Sequence, residues 1–329
     1  MTHRQLQAEP TAQSLGFHMP AEWEPAERAW VTWPDNQETW PGCLDAAQQQ
    51  FADLISQLRP HVEPCTTQSV NIPTNDSWIR DYGPVFVIDQ DGHLACHDFT
   101  FNCWGRKYEP YDDDDRAPRH IAKHLGVPFW IQPMVLEGGS IDVNGAGTVM
   151  TTRQCLLESR RNPGRSQAWI QQQLHHALGT VHVVWLPGGI TGDDTDGHVD
   201  DVARFINPTT VAAVRAPRGH PDHAVLEQNW RSLNEACDQD GVKLDLLELP
   251  CPILSITPTR PTKPVPVAAV NCRPVTPISL LPIKRCLCPS LANTRTIPLC
   301  VAWTTRCLAT ARSVCVVNTW WRAWEPSTA

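Results

Sequence analysis

The sequence lacks any long apolar run. No stretch of its 329 residues approaches the ~18 apolar residues of a membrane-spanning helix, and the first 18 residues contain no apolar segment typical of a secretion signal. The net charge of −8 argues against nucleic acid and anionic membranes as partners but is compatible with a small cationic substrate. We therefore expect a cytoplasmic protein. The sequence leaves the oligomeric state open, and a homo-oligomer is one of the options.

Glycine is absent from the end of the chain. Residues 251–329 contain none of the 18 glycines, and no histidine, tyrosine or phenylalanine. They carry nine Lys and Arg against one acidic residue, and they hold seven of the 13 cysteines and 11 of the 30 prolines. A globular domain without glycine lacks its usual turn residue. A disordered tail is the alternative, but such tails are depleted in the cysteine and tryptophan found here. The chain therefore divides near residue 250.

Residues 1–250 have the pattern of a regular α/β protein. Short apolar runs predict strands at Ala29–Trp33, Val85–Ile88, Thr148–Thr152, Val181–Leu186, 202–206, Thr210–Val214 and Leu244–Leu249. Apolar residues three and four apart predict helices at Ala46–Leu58, Arg119–Leu125, Ser166–Leu178 and Ala224–Cys237. This alternation favours repeated strand–helix–strand modules. We expect the acidic run Asp112–Asp115 to be a solvated loop.

The segment Trp185–Arg204, WLPGGITGDDTDGHVDDVAR, has the densest set of reactive side chains. Five aspartates and one histidine fall within nine residues, between two apolar strands. The cluster should therefore lie on a turn at the edge of a packed core, where binding and catalytic residues are usually placed. His198 beside Asp200 offers a titratable group next to an anion that favours its charged form.

Three other stretches place acidic residues beside Gly or Trp at the ends of predicted strands. They are Met19–Gly42, DSWIRDYGPVFVID (Asp76–Asp89) and LEGGSIDVNGAGTVMTTRQCLL (Leu136–Leu157). Together with the acidic segment they supply Asp81, Glu137, His198 and Asp200, with Trp33 and Trp78 as candidate flat walls. Carboxylates and aromatic faces suit a guanidinium, which is planar, cationic and rich in donors. Attack on its central carbon needs a soft nucleophile such as a cysteine thiolate.

These motifs resemble the agmatine deiminase family, the relatives of bacterial peptidylarginine deiminases. The similarity lies in the WPDN…WPG, DSWIRDYGP, LEGGSIDVNGAG and TDGHVDDVARF motifs and covers residues 16–250. It implies a pentein fold, a pseudo-fivefold α/β propeller of ββαβ modules. It also implies hydrolysis of agmatine to N-carbamoylputrescine and ammonia in putrescine and polyamine biosynthesis, with no metal and no organic cofactor.

The resemblance also implies roles for individual residues. Asp81 and Asp200 would grip the guanidinium, Glu137 and His198 would handle protons, and Trp78 would line the pocket. The family ends in a Gly-rich segment that closes with His-Cys, and that cysteine is the nucleophile. This chain has no such segment. Residues 1–250 would then be an incomplete catalytic domain, and 251–329 an aberrant segment in place of the last module.

A reading-frame slip near Cys251 accounts for both the change in composition and the missing nucleophile. With suitable synonymous codons, reading two bases later converts Cys251–Thr257 into PDPVYH, Cys272–Ser279 into PPSYANF and Trp321–Ala329 into AGLGAIHC. The codon choices permit these peptides, and Trp324-Glu325 forces a glycine because tryptophan has a single codon. The restored AGLGAIHC supplies the family's His-Cys ending. The chain as written is then expected to be inactive.

Several other interpretations stay open from the residues alone. Asp193, Asp194 and Asp196 could form an oxygen-rich metal loop, and the protein a metal-dependent hydrolase. The substrate could be peptidyl-arginine or free arginine, or the chain could be a guanidinium-binding pseudoenzyme. His198 could be a structural histidine. Asp81 could pair with Arg80 or cap a turn, and Glu137 could cap the Gly138-Gly139 turn. Cys155, in an apolar strand-like run, and Cys103 are the rival thiols, in surroundings where cysteines are usually inert.

The slip predicts the nucleotide sequence. We expect the codons of residues 251–329 to spell the three shifted peptides when they are read two bases later. Sequencing the coding DNA around codon 251 tests this directly. Codons that cannot yield PDPVYH and AGLGAIHC would exclude the slip.

Overall fold

A computed structural model of the protein describes residues 5–6 and 10–251; the predicted aberrant segment lies outside the described residues beyond Cys251. The fold is α/β, as expected. The strands are β1 (Gln5–Leu6), β2 (Arg28–Val31), β3 (Glu63–Thr66), β4 (Val85–Ile88), β5 (Leu94–Thr100), β6 (Phe129–Val135), β7 (Ile141–Val143), β8 (Thr148–Thr152), β9 (His182–Leu186), β10 (Ala203–Asn207), β11 (Thr210–Arg215) and β12 (Asp245–Pro250). The helices are α1 (Leu44–Leu58), α2 (Ile79–Tyr82), α3 (Asp112–Leu125), α4 (Arg153–Leu156), α5 (Gln167–Leu178) and α6 (His223–Glu235).

One ββαβ unit occurs three times within the described residues 10–251. The units are β4-β5-α3-β6, β7-β8-α5-β9 and β10-β11-α6-β12. In each unit the first two strands pair antiparallel through a short turn, and the third returns parallel to the second after the helix. This order follows from pairing geometry, because parallel neighbours need a long crossover connection. A fourth unit, β2-α1-β3, contains a parallel pair, and the short strand β1 pairs with β6.

Helix α5 shows how each unit forms its core. Ile170 and Leu174 lie on one face of the helix and are fully buried. They pack with Val149 of β8 and Val183 of β9 in one apolar cluster. Ser166 begins the helix by accepting a hydrogen bond from the Trp169 amide, and Gly179 ends it in a left-handed conformation at φ 65°. The apolar face, the Ser166 cap and the terminal Gly179 therefore all favour a helix with these bounds.

One expectation about the acidic run was wrong. Asp112–Asp115 is the first turn of α3 and not a solvated loop. Negative side chains are favourable there because the helix N-terminus carries partial positive charge. Asp114 is buried, and its carboxylate accepts the backbone amide of Asn75 at 2.7 Å.

The sequence patterns also missed several strands. Strands β3, β5, β6 and β7 were not predicted, although the other strands of the units match within one or two residues. Strand β5 contains His97 and Asp98, both buried, which breaks the apolar pattern expected of a strand. Strands β3 and β6 each contain a proline, which normally argues against a strand.

A single helical turn precedes the first strand of each of the three ββαβ units. Helix α2 precedes β4, a 3₁₀ turn at Gly138–Ser140 precedes β7, and a 3₁₀ turn at Val199–Asp201 precedes β10. The first of these turns contacts the second, and the second contacts the third. The connections between units therefore meet at one place in the structure.

Within residues 5–6 and 10–251, the helices include none that is long and apolar enough to cross a membrane.

The core at α5 predicts a measurable loss of stability. Replacing Leu174 with alanine leaves a cavity between helix and sheet and should lower the free energy of unfolding by about 2–5 kcal/mol. Urea denaturation measures this. Val181→Ala is the matched control, because Val181 is 62% exposed and its truncation should change the free energy by about 0.5 kcal/mol or less. Equal losses in the two variants would contradict this packing.

Candidate active site

The His198 imidazole lies at the point where the three helical turns meet. It is 1% exposed and has carboxylates on both sides of the ring. Its Nδ1 is 3.6 Å from Asp81 Oδ1 and 3.9 Å from Asp200 Oδ1, and its Nε2 is 3.8 Å from Glu137 Oε2. The structure thus brings together the four residues that the sequence selected from three separate stretches.

Asp81 is held by donors on both of its oxygens. Its Oδ1 accepts the Gly139 amide at 3.0 Å and its Oδ2 accepts the indole Nε1–H of Trp104 at 2.9 Å. Trp104 belongs to a left-handed turn at Cys103–Arg106, in which residues 103 to 106 all have positive φ. Non-glycine residues adopt this conformation at an energetic cost, and such strain is concentrated at functional sites. In place of the pairing with Arg80 that the sequence left open, the Asp81 carboxylate accepts hydrogen bonds from Trp104 and Gly139.

Gly138 and Gly139 let the backbone approach the site closely. A Cβ at Gly139 would lie 2.4 Å from His198 Nδ1 and 2.9 Å from an oxygen of Asp81. A Cβ at Gly138 would lie 2.1 Å from the Arg80 carbonyl oxygen. Only glycine fits at these two positions without moving the site, which explains the LEGGS motif.

Glu137 forms a buried ion pair with Arg161. Arg161 Nε donates to both carboxylate oxygens, at 2.8 and 3.0 Å, and its Nη2 donates to the Thr195 carbonyl at 2.5 Å. Both side chains of the ion pair are completely buried. Glu137 makes no capping hydrogen bond to the following turn, so the alternative role as a cap is wrong. Instead, Arg161 fixes Glu137 beside the imidazole.

Asp200 is the most exposed of the four, with 11% of its side chain accessible. Its Oδ2 is 3.8 Å from Arg80 Nε. Arg80 also pairs with Glu22, which in turn pairs with Arg204, and Arg204 Nε is 3.3 Å from Asp142. This chain of alternating charges connects the site to the first strand of the β7 unit.

The charges around the imidazole determine which groups hold protons. Burial alone would lower the pKa of His198, but Asp81, Cys155 and Glu137 together raise it well above its usual range. Burial raises the pKa of Asp81, an effect that the imidazole partly offsets. Burial would also raise the pKa of Glu137, but Arg161 and the imidazole hold that pKa at about 2. The site therefore favours a protonated imidazole beside an ionised Glu137.

Aromatic rings cover the side of the site near Asp81. Trp78 is buried directly before α2, stacks on Trp40 at 5.8 Å between ring centroids, and meets Trp104 edge-on at 6.2 Å. Trp33 follows β2, is half-buried, and packs against the same apolar cluster as Trp78. Of the two tryptophans chosen from the sequence, Trp78 is the one joined to Asp81 through Trp104.

The aspartates before His198 serve the loop itself. Asp193 accepts the amides of Thr195 and Gly197, both at 2.7 Å. Asp194 accepts the Tyr108 hydroxyl at 2.9 Å. Asp196 pairs with Lys107 at 2.7 Å and with Arg160 at 2.8 Å. Because loop amides, a hydroxyl and cations occupy these carboxylates, the arrangement favours a structural role over an oxygen-rich metal loop.

The two rival thiols are both buried. Cys155 lies in α4, not in a strand, and its Sγ is 3.8 Å from Glu137 Oε2. Burial and the adjacent Glu137 raise the pKa of Cys155. Burial likewise raises the pKa of Cys103 to about 12. Cys155 Sγ and His198 Nε2 both lie 3.8 Å from Glu137 Oε2, whereas Asp81 and Asp200 lie near His198 Nδ1.

Sequence reasoning missed three supporting residues, Trp104, Arg161 and Glu22. Trp104 and Arg161 touch Asp81 and Glu137 directly, and Glu22 binds the arginine next to Asp200. Each is far from its partner in sequence. Glu22 lies in the chosen stretch Met19–Gly42, from which only Trp33 was selected, whereas Trp104 and Arg161 belong to no stretch that was chosen for chemistry. A tryptophan next to a glycine at 104–105 was a weak local signal, whereas Arg161 gave none.

The Glu137–Arg161 pair predicts a large loss of stability. Arg161→Met keeps most of the apolar volume but leaves Glu137 buried without its counter-charge, which should lower the free energy of unfolding by about 3–5 kcal/mol. Chemical denaturation of the variant and the unmodified protein measures this difference in the free energy of unfolding. Arg28→Met is the matched control, since Arg28 and Glu63 form a pair with side chains 45% and 68% exposed and should lose about 1 kcal/mol or less. A loss at Arg161 as small as at Arg28 would refute the buried pair.

Comparison with known proteins places this site in a family. A family model described as Porphyromonas-type peptidyl-arginine deiminase matches residues 18–282, past the change in composition at 250. A relative from Legionella pneumophila is 37% identical over 249 residues, which cover 70% of this chain and 72% of the relative. The agmatine deiminase of Pseudomonas aeruginosa (strain LESB58) is 36% identical over 267 residues, covering 74% of this chain and 72% of that protein.

Solved structures are similar over the same part of the chain. The agmatine deiminase of Enterococcus faecalis has 34% identity and a TM-score of 0.67, covering 76% of this chain and 75% of that chain. A C. jejuni agmatine deiminase, in a cysteine-to-serine variant with substrate bound, has 27% identity and a TM-score of 0.65, covering 76% of this chain and 77% of that chain. The chain therefore belongs to the Porphyromonas-type peptidyl-arginine deiminase family, C–N hydrolases that include the agmatine deiminases.

Proposed function

We propose that this fold carries the hydrolysis of agmatine to N-carbamoylputrescine and ammonia, a step toward putrescine, and that the chain as written has lost the nucleophile. The observation that carries the proposal is the meeting of the Asp81, Glu137 and Asp200 carboxylates around the buried imidazole of His198. The relatives named agmatine deiminase support agmatine as the substrate.

Asp81 and Asp200 are placed to bind a guanidinium. Both carboxylates lie on the Nδ1 side of His198, and Asp200 keeps some exposure to solvent. Carboxylates grip guanidinium groups through paired, charge-assisted hydrogen bonds. The buried rings of Trp78 and Trp104 bound this side and would exclude water from the substrate. We propose Trp33 as a more distant wall of the same pocket.

The proposed reaction has two stages. A cysteine thiolate attacks the central guanidinium carbon, and the tetrahedral intermediate collapses with loss of ammonia, which takes its proton from His198. The carbon is then bound to sulfur as a thiouronium adduct. His198 next removes a proton from water, and the resulting hydroxide attacks the same carbon. The C–S bond then breaks to release the thiolate and the product, and the hydroxyl proton passes through solvent to the released ammonia. The protonated imidazole favoured by Asp81 suits the first stage, and Glu137 holds it in place.

The proposed nucleophile belongs to the segment that the frame slip replaces. Each connection that precedes a ββαβ unit brings a site residue to the same place: Asp81 before β4, Glu137 before β7 and His198 before β10. The next connection follows β12, which ends at Pro250, beside the proposed slip. A fifth unit there would complete the pentein propeller and bring its His-Cys ending to the site. The C. jejuni enzyme, studied as a cysteine-to-serine variant with substrate bound, supports a cysteine-dependent reaction.

A guanidinium-binding pseudoenzyme is the second candidate for the chain as written. It is favoured by the position of Cys155, which the imidazole separates from Asp81 and Asp200. This chain would then bind the substrate without turning it over.

The proposal predicts no turnover by the chain as written and activity after frame correction. We expect the corrected chain, ending in AGLGAIHC, to form N-carbamoylputrescine and ammonia from agmatine, and replacement of its final cysteine by alanine to abolish this. In the corrected chain, Asp81→Asn should lower kcat/KM about a hundredfold or more, because a charged contact to the substrate is lost. The exposed Asp91→Asn serves as the matched control and should leave kcat/KM unchanged.

Assays with agmatine, free arginine and peptidyl-arginine separate the alternatives. Release of ammonia from peptidyl-arginine but not from agmatine would replace the proposed substrate. Robust agmatine turnover by the uncorrected chain would refute the assignment of the nucleophile.

A further inference from the structure

Three buried side chains of the types that bind metal ions lie close together in the site: Glu137, Cys155 and His198. Cys155 Sγ and His198 Nε2 each lie 3.8 Å from Glu137 Oε2, and the three donor atoms all lie within 4.8 Å of one another. All three residues are buried, at 0%, 1% and 0% exposure for Cys155, His198 and Glu137. They come from three different connections in the chain, so no sequence spacing identifies them.

The His198 Nε2 atom points into this group without a hydrogen bond. Among the residues that the structure describes, it is one of the buried polar atoms left unsatisfied. A buried nitrogen in this condition carries a substantial desolvation cost. A cation bound between Nε2, the Cys155 sulfur and the carboxylate would satisfy it, with the Nε2 proton of the imidazole and the proton of the thiol released to solvent on binding.

The spacing of the donors suits a tetrahedral ion. Zinc binds sulfur at about 2.3 Å and nitrogen or oxygen at about 2.0–2.2 Å, so tetrahedral angles place the donor atoms about 3.4–3.6 Å apart. The observed separations of 3.8 Å from Glu137 exceed this by only a few tenths of an ångström. The third separation, between Cys155 Sγ and the imidazole nitrogen, is at most 4.8 Å, so closing the three donors on one ion requires movements of no more than about 1.2 Å.

The surrounding contacts match those of zinc sites in proteins. Histidine ligands usually present their other ring nitrogen to a carboxylate, and here Nδ1 lies 3.6 Å from Asp81 Oδ1. Carboxylate ligands are usually held by hydrogen bonds of their own, and Arg161 Nε donates to both oxygens of Glu137. Asp81 is in turn fixed by Trp104 and Gly139.

We propose that Glu137, Cys155 and His198 form a binding site for a thiophilic divalent cation of the zinc type. One sulfur, one nitrogen and one oxygen donor suit zinc and disfavour magnesium and calcium, which take oxygen ligands. Three protein ligands leave one tetrahedral position for water or another small ligand. This site differs from the oxygen-rich loop considered from the sequence, because the carboxylates of Asp193, Asp194 and Asp196 are not part of it.

Occupancy would have a consequence for the reaction. The ion would hold Glu137 and His198 Nε2, and it would oppose binding of a second cation at Asp81 and Asp200. Zinc should therefore inhibit the frame-corrected enzyme. This consequence rests on the proposed function, whereas the binding of metal by the chain as written does not.

Metal content tests the site without any activity measurement. We expect full-length protein, stripped with chelator, equilibrated with Zn²⁺ and desalted, to retain one zinc ion that Cys155→Ser loses. Cys237→Ser is the matched control, since Cys237 is a half-buried cysteine outside this group, and it should retain that ion. Circular dichroism and thermal melts of both variants establish that each is folded.

X-ray absorption of the zinc-loaded unmodified protein supplies a second test that needs no variant. We expect one sulfur at about 2.3 Å together with nitrogen and oxygen ligands at about 2.0–2.2 Å. With Co²⁺ as the probe, a thiolate-to-cobalt charge-transfer band should appear in the unmodified protein and Cys237→Ser but not in Cys155→Ser. A shell of two or more sulfurs, equal zinc loss in both variants, or no retained zinc would overturn the proposal.

Discussion

The His198 imidazole is 1% exposed, so its protonated form needs anions around it, since water cannot solvate it there. Asp81 and Asp200 on one side of His198 and Glu137 on the other provide them. A buried carboxylate in turn needs a positive charge beside it, and Arg161 supplies that charge at Glu137. The resulting network is self-consistent only when every member is present, because removing one partner leaves a buried charge. This interdependence explains why so many charged side chains are buried in one small region.

The repeated ββαβ unit explains how distant stretches reach that region. Each of the connections ahead of β4, β7 and β10 contains one helical turn, and these turns carry or adjoin Asp81, Glu137 and His198. Packing of neighbouring turns, through Gly138 and Gly139, brings the side chains within 4 Å of the imidazole. The site is thus a product of repetition, since each connection contributes at least one residue, and the left-handed turn of Trp104 adds a donor that the repeat does not supply.

The two faces of His198 have different chemistry. The Nδ1 face has two carboxylates, a wall of tryptophans and some access to solvent through Asp200, which suits an incoming guanidinium. The Nε2 face has a buried thiol and a carboxylate already bound by arginine, which suits a metal ion or a fixed structural contact. The proposed reaction needs a thiolate at the guanidinium held by Asp81 and Asp200, whereas the thiol of Cys155 lies beside Glu137.

The sequence by itself determined the α/β class, most strands of the repeated units and the four residues around the imidazole. These were accessible because local patterns encode them: apolar periodicity marks α5, and glycines beside Glu137 and His198 mark close backbone approach. Local patterns failed where polar side chains are buried, as at His97 and Asp98 in β5. They also failed at Asp112–Asp115, because negative side chains are favourable in the first turn of a helix. Only the tertiary structure decided that Arg161 neutralises Glu137, that Trp104 holds Asp81, and that Cys155 lies beside His198. Those partners depend on the packing of one unit against another, and a pairing between side chains far apart in the chain leaves no spacing for a sequence pattern to detect.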